Sequence, residues 1–236
     1  MAVAAVAALP LTAAHADEAS DCARGFAAVA RGFDDLAIHY CSQVLRSPRF
    51  SPSQKVAALN FRALAYERGS GTAVSDLEAA ALLLPPTFEN LVVRALVQVR
   101  SGNLEAAADS FTGAIAENPN DARVYYNRGL AFHLMQRFGD AVQDYRRSIE
   151  IDPLERNAYY NLGLAHFELG NMQAAVDAYS QAIKLSPSYA QAIHNRAHAY
   201  ERLGQTSSAL KDFRVAVELA PEDPTIMRSA RARGIR

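Results

Sequence analysis

The sequence has no excess of either charge sign. Its 24 lysines and arginines face 25 aspartates and glutamates, leaving a formal net charge of −1. A surplus of basic side chains is what neutralises a phosphate backbone or grips an anionic lipid surface, so nucleic acid and a polybasic membrane contact are excluded as partners. Lysine is scarce, with 3 against 21 arginines, and alanine is abundant, which reads as genomic G+C bias rather than function. Catalytic signatures are missing too: there is no glycine-rich phosphate loop, no G-x-S-x-G, and no paired carboxylates set among apolar residues. No enzyme activity and no cofactor are expected.

Cysteine is reduced to two residues, Cys22 and Cys41. Neither sits in a lipobox, because Cys22 follows Glu18-Ala19-Ser20-Asp21, so no lipid anchor is expected. The uncharged run from Ala2 to Ala14 is too short to span a bilayer as a helix. It ends at Ala14-His15-Ala16, an A-x-A cleavage pattern, and Asp17 and Glu18 follow. This predicts a secretory signal peptide over 1–16, cleaved after Ala16, and a periplasmic or secreted protein. No Lys or Arg precedes the run, a departure from the usual positive n-region. In an oxidising compartment Cys22 and Cys41 are expected to form a disulfide. Closing a loop of about 20 residues would contribute roughly 3 kcal/mol in the chain-entropy model.

What is present in strength is a repeat. Pro119, Pro153, Pro187 and Pro221 stand 34 residues apart. A small residue falls 24 positions before each (Ala95, Gly129, Gly163, Ala197), and an alanine 12 before (Ala107, Ala141, Ala175, Ala209). An aromatic falls 8 before (Phe111, Tyr145, Tyr179, Phe213), and a small residue 5 before (Ala114, Ser148, Ala182, Ala216). Small residues let two antiparallel helices approach, the aromatic fills the space beside them, and proline closes the unit because it cannot continue a helix. With Tyr125-Tyr126-Asn127-Arg128-Gly129-Leu130-Ala131-Phe132 and Tyr159-Tyr160-Asn161-Leu162-Gly163-Leu164-Ala165, the chain resembles the tetratricopeptide repeat family.

The resemblance implies an all-α fold, a right-handed superhelical solenoid of antiparallel helix pairs. Four regular repeats are expected at 88–121, 122–155, 156–189 and 190–223. A degenerate repeat precedes them at 54–87, where Arg62-Ala63-Leu64-Ala65-Tyr66 matches Arg128 to Phe132 and the turn at Gly69-Ser70-Gly71 is two residues short. Before it, 17–53 reads as a degenerate capping repeat whose Ala37, Cys41 and Val44 keep the column spacing, with a loop over 47–53 and Ser53 as the next N-cap. A short basic segment, 224–236, is expected as a cap or tail that frays or completes itself on a partner.

In the family the first helices of successive repeats line a concave groove that binds protein or peptide segments. Carried over by register, the groove side chains are Tyr126, Asn127, Leu130, Tyr160, Asn161, Leu164, Phe167, His194, Asn195 and His198. Val92, Val93, Leu96 and Val99 extend it toward the N-terminus. The basic residues of the family's carboxylate clamp are replaced by Tyr126, Leu130, Gln191 and Asn195, which weighs against an acidic C-terminus as ligand. An apolar-anchored segment fits better. Asn127, Asn161 and Asn195 form a ladder that either contacts ligand or serves packing. A non-enzymatic scaffold or adaptor is the resulting expectation. The alternatives are a self-associating structural protein (a homo-oligomer) and a metal-binding or hydrolytic protein. His194 and His198, one turn apart, have zinc-compatible spacing but no H-E-x-x-H, so no metal site is assigned.

Overall fold

The computed structural model describes residues 34–69 and 73–235, and their regular structure is entirely helical. The helices are α1 (Asp34–Arg46), α2 (Pro52–Gly69), α3 (Ala73–Leu83), α4 (Phe88–Arg100), α5 (Leu104–Glu117), α6 (Ala122–Leu134), α7 (Phe138–Ile151), α8 (Arg156–Glu168), α9 (Met172–Leu185), α10 (Ala190–Arg202), α11 (Thr206–Leu219) and α12 (Pro224–Arg231). From α4 onward the first helices begin 34 residues apart, at 88, 122, 156, 190 and 224. The chain divides into two compact units whose boundary falls within α5, between Gly113 and Ala114. In the first unit α1 packs on α2, α2 on α3 and α3 on α4. In the second, consecutive helices from α6 to α12 pack on one another, and α8 also touches both α6 and α10.

The column residues are the core. Phe111, Tyr145, Tyr179 and Phe213 are fully buried, with Ala107, Ala141, Ala175 and Ala209 beside them. Each such ring removed from water contributes roughly 2–3 kcal/mol. The small residue on the facing first helix is set by how near the ring comes. A Cβ built on Gly163 would lie 2.5 Å from Tyr179 Cε1, and one on Gly129 2.8 Å from Tyr145 Cε1. The two repeats with alanine in that column, Ala95 and Ala197, carry Phe111 and Phe213 in place of tyrosine.

A second pairing, unseen in the sequence reading, fastens first helix to second. Arg128 donates from Nε and Nη2 to the two oxygens of Asp144, at 2.8 and 2.7 Å. Arg196 does the same to Asp212 at 2.7 and 3.0 Å, and Arg62 to Asp76 at 2.7 and 2.6 Å. The spacing is 16 residues in the regular repeats and 14 between Arg62 and Asp76, which is the two-residue contraction of that repeat. The fork geometry satisfies both carboxylate oxygens, and the aspartates are buried. The repeat at 156–189 replaces both partners together, with Leu162 for the arginine and Ala178 for the aspartate. The repeat at 88–121 places Ser110 opposite Arg94. There Ser110 Oγ donates to Gln98 Oε1 at 2.8 Å, while Arg94 turns to the carbonyls of Ala81 and Leu84.

The within-repeat turns share one closure. The N–H groups of Asn103, Arg137, Asn171 and Gln205 donate to the carbonyls of Gln98, Phe132, His166 and Tyr200, at 2.8–2.9 Å. This Schellman closure needs a left-handed residue just before the donor. Gly102, Gly170 and Gly204 supply it with φ of 81°, 78° and 73°, while Gln136 adopts φ 59° without being glycine.

One expectation is corrected. The N-cap of α2 is Ser51, not Ser53: Gln54 N–H donates to Ser51 Oγ and Ser51 N–H donates to Gln54 Oε1. This is a reciprocal capping box with Pro52 as the first helical residue, so Ser53 lies inside the helix and the preceding loop is shorter. The C-terminal segment, expected as a cap or a tail, is a helix packed on α11. Asp223 caps α12 by accepting from Thr225 and Ile226 N–H, Ile226 and Ala230 are buried, and Ile235 N–H closes onto the Ala230 carbonyl through Gly234 at φ 73°. α12 thus starts in register as a first helix and stops one turn early.

Candidate functional site

The groove residues of the second unit lie on three neighbouring first helices. Tyr126, Asn127 and Leu130 are on α6; Tyr160, Asn161, Leu164 and Phe167 on α8; His194, Asn195 and His198 on α10. All are half-buried except His194, which is buried. Val92, Val93 and Val99 on α4 in the first unit are half-buried, and Leu96 is exposed.

Two asparagines of the ladder are engaged between repeats. Asn161 Nδ2 donates to Tyr126 Oη at 2.9 Å, and Asn195 Nδ2 donates to Tyr160 Oη at 2.9 Å. Asn127 instead donates to the carbonyl of Arg123 on its own helix, at 2.8 Å. Its register counterpart of Tyr126 is Val92, which has no hydroxyl. The tyrosine rings also pack inward, Tyr126 on Tyr145 and Tyr160 on Tyr179, each with centroids 6.0 Å apart. Burial is the main cause that pushes the Tyr126 and Tyr160 hydroxyls above the ordinary phenol value, so both stay neutral. Tyr189 lies 5.0 Å from the Tyr160 ring and donates to Asn157 Oδ1 at 3.3 Å, its own hydroxyl pushed up by burial to about 12. Two of the three rungs, Asn161 and Asn195, thus link neighbouring repeats through their amide N–H groups. What the face offers outward is the remaining edge of Tyr126, Leu130, Tyr160, Leu164 and Phe167.

At the other end the polar residues form a closed set. His194 and His198 place their Nε2 atoms 3.3 Å apart. His194 Nδ1 faces Asn195 Oδ1 at 3.3 Å, and His198 Nδ1 faces Glu201 Oε2 at 3.4 Å. Arg233, beyond α12, donates to both oxygens of Glu201 and lies 4.2 Å over the Phe213 ring. Phe213 in turn packs against both imidazoles. Burial lowers both imidazoles below the ordinary histidine value; for His194 the neighbouring His198 adds to this, and for His198 the Arg233 guanidinium does. Arg233 holds Glu201 below the usual carboxylate range. Sequence reading missed this closure because Glu201 and Arg233 are 32 residues apart, two short of the repeat period. No group of three metal-ligating side chains occurs among the described residues.

Cys41 is fully buried on α1 among Val44, Phe50 and Ala58. Its expected partner Cys22 and the expected signal peptide lie outside the described residues. No helix among the described residues is long and apolar enough to cross a membrane.

Family models of the tetratricopeptide repeat match residues 92–155, 157–189 and 190–223. No curated protein sequence matches the chain. Solved structures with similar folds include MamA from Desulfovibrio magneticus RS-1, at TM-score 0.63 and 20% identity, covering 74% of this chain and 98% of that one. YrrB, described as a TPR protein with an unusual peptide-binding site, aligns at TM-score 0.61 and 15% identity over 81% of this chain and 97% of its own. The C-terminal part of a TPR repeat-containing protein from Cytophaga hutchinsonii aligns at TM-score 0.63 and 16% identity, over 85% and 79%. With family matches running almost without a break from 92 to 223, on helix pairs that repeat every 34 residues, the chain belongs to the tetratricopeptide repeat family.

Proposed function

We propose that the protein is a non-enzymatic scaffold that holds a protein or peptide segment along the first-helix face of its second unit. The family is a protein-interaction fold, which supports a protein partner at the coarse level. The observation that carries the finer reading is the row of half-buried Tyr126, Leu130, Tyr160, Leu164 and Phe167 on adjacent helices α6 and α8. Their inner faces pack on the core, and what they leave outward is largely apolar, with the Arg202 guanidinium 5.9 Å over the Phe167 ring, a surface suited to side-chain anchors of an extended or helical segment. That YrrB is described as carrying a peptide-binding site is consistent with this use of the fold.

The test is site-specific photo-crosslinking in cells, which spares the packing that alanine substitution would disturb. A benzophenone amino acid at Leu164 or Phe167 is expected to trap a protein partner. The same group at exposed Lys211 or Arg214, on second helix α11, is expected to trap little. Adducts arising only from the α11 positions would refute the reading.

The protein acts after export in this proposal, with 1–16 removed and Cys22 bonded to Cys41. Mass spectrometry of the mature protein is expected to begin at Asp17, with thiols alkylated only after reduction. Two thiols reactive in the unfolded, unreduced protein would rule out the bridge.

A further inference from the structure

The two imidazoles of α10 face each other across a gap that admits one proton and not two. His194 and His198 place their Nε2 atoms 3.3 Å apart. At that separation one Nε2–H can donate to the other nitrogen, but two such hydrogens would point into the same space. The outer nitrogens are occupied. His194 Nδ1 faces Asn195 Oδ1, and His198 Nδ1 faces the Glu201 carboxylate. Arg233 holds Glu201 below the usual carboxylate range, so this carboxylate accepts and does not donate. The pair therefore cannot take up its full complement of protons unless a ring turns.

What must give way is set by what the rings touch. Phe213 of α11 packs edge-on against both imidazoles, with centroids at 5.8 and 5.0 Å. Arg233 lies 4.2 Å over the same phenyl ring and donates to both Glu201 oxygens. From α8 the Tyr160 hydroxyl accepts from Asn195. α9 meets α10 at Ala199 and, through Ser180, at Arg196, whose guanidinium Asp212 of α11 holds. Asp223, the N-cap of α12, also acts on His194. Protonating both rings would set three cations, His194, His198 and Arg233, against two acids, Glu201 and Asp223. Of these cations Arg233 is the one attached to an element that opens easily. α12 has eight residues, too few to hold a helix alone in water, and it packs on α11 as the last helix of the unit.

We propose that the C-terminal cap is an acid-operated latch: when His194 and His198 both take up protons the rings turn, Arg233 leaves Glu201 and Phe213, and residues 224–235 undock from α11 while α10 and α11 stay folded. Undocking withdraws Ile226, Ala230 and Ile235 from their clusters and uncovers Ile193, Ala197, Phe213 and Ala216. The closed cap refuses protons that the open pair accepts, so it weakens as pH falls, beginning near the ordinary histidine value of about 6.5. One imidazole blocked in this way raises the opening constant about thirtyfold at pH 5. The latch stands apart from the α6–α8 row of the proposed binding face, so one can fail without the other.

The test is amide hydrogen exchange of the full chain at pH 7.5 and pH 5.0, read by mass spectrometry, with rates divided by the intrinsic rate at each pH. The reporters are the N–H groups of Met227, Ala232 and Ile235, which bond the carbonyls of Asp223, Arg228 and Ala230. Protection of the peptide 224–235 is expected to fall at least about tenfold at pH 5.0, while 206–219 keeps most of its own. The double variant His194→Asn, His198→Gln has nothing to protonate in this range and is expected to stay latched at pH 5.0. Should it fail to fold, His198→Gln alone removes one of the opposed rings and is expected to lose most of the response. Arg233→Gln is expected to open the cap already at pH 7.5. Equal protection of 224–235 at the two pH values, loss by 206–219 in the same proportion, an undiminished response in the histidine variants, a cap as tight in Arg233→Gln as in the parent, or imidazoles that titrate with the cap still closed would each overturn the proposal.

Discussion

At the scale of single residues, one column explains why glycine occurs inside two helices where it costs stability. Replacing a helical glycine by alanine ordinarily gains about 1 kcal/mol. At Gly163 the added methyl would stand 2.5 Å from the Tyr179 ring, a core side chain with no room to retreat, and overpacking of this kind costs about 1–3 kcal/mol. The overlap wins. Gly163→Ala is expected to lose about 1–2 kcal/mol in equilibrium urea unfolding, and Gly129→Ala less, because its nearest ring atom is at 2.8 Å. Equal stability of Gly163→Ala and the parent would contradict this account. The tyrosine hydroxyls carry little in return: Tyr145 Oη and Tyr179 Oη are buried without a hydrogen-bond partner among the described residues. Tyr179→Phe is therefore expected to be neutral or slightly stabilising, since a phenyl ring leaves no unsatisfied donor.

At the scale of elements, the repeat at 156–189 already contains the control for its neighbours. Asp144→Ala removes the carboxylate that both Arg128 nitrogens bond and leaves its guanidinium, whose side chain is 18% exposed, without that counter-charge at the helix interface. Breaking a fully buried pair costs about 3–5 kcal/mol, and the partial exposure of Arg128 brings the expected loss down to about 2 kcal/mol. The double variant Arg128→Leu, Asp144→Ala copies Leu162 and Ala178 and is expected to recover at least half of that loss. A double variant no more stable than the single one would show that the ion pair itself, and not an unpaired charge, is what matters. Turn chemistry offers a gain. Gln136 holds φ 59° where three sister turns use glycine, so Gln136→Gly is expected to raise the unfolding free energy by about 1 kcal/mol. These features differ in how visible they are in sequence. The prolines, alanines and aromatics recur in every regular repeat and announce the helix pairs directly. The arginine–aspartate pair is present in some repeats and replaced jointly in another, so a column-by-column reading passes over it. The α2 cap was misplaced because Ser51 and Ser53 are both plausible caps, and only the reciprocal bond from Gln54 separates them.

At the scale of the whole molecule, register located the face but not its chemistry. It placed Tyr126, Tyr160 and the asparagines on neighbouring helices. It did not reveal that Asn161 and Asn195 reach back one repeat to tyrosine hydroxyls, because a side chain's direction is decided by its neighbour. Nor did it reveal that Arg233 closes over the histidine end. That closure leads to a dependence of stability on pH. Four imidazoles, His133, His166, His194 and His198, have folded values lowered below 6.5, burial being the largest cause at each. Around the His194–His198 pair stand Asn195 on the same helix, Glu201 one turn on, Asp223 ahead of α12 and Arg233 behind it. Glu201 and Asp223 favour the charged form, but burial and Arg233 outweigh them. A group with a lowered folded value binds fewer protons folded than unfolded, so its contribution is complete above the unfolded value and is lost as pH falls through the folded one. The unfolding temperature is therefore expected to be level above about pH 7 and to fall as the solution is acidified below the unfolded histidine value of about 6.5. Glu201 and Asp121, also lowered, extend the loss below pH 4.5. Thermal unfolding at constant ionic strength between pH 8 and 5 measures this. The double variant His194→Asn, His198→Gln should flatten part of the slope, because two neutral amides cannot acquire the opposed Nε2–H groups that protonation forces on the pair. A parent protein that grows more stable on acidification, or a slope untouched by the double variant, would place the proton sensitivity elsewhere in the chain.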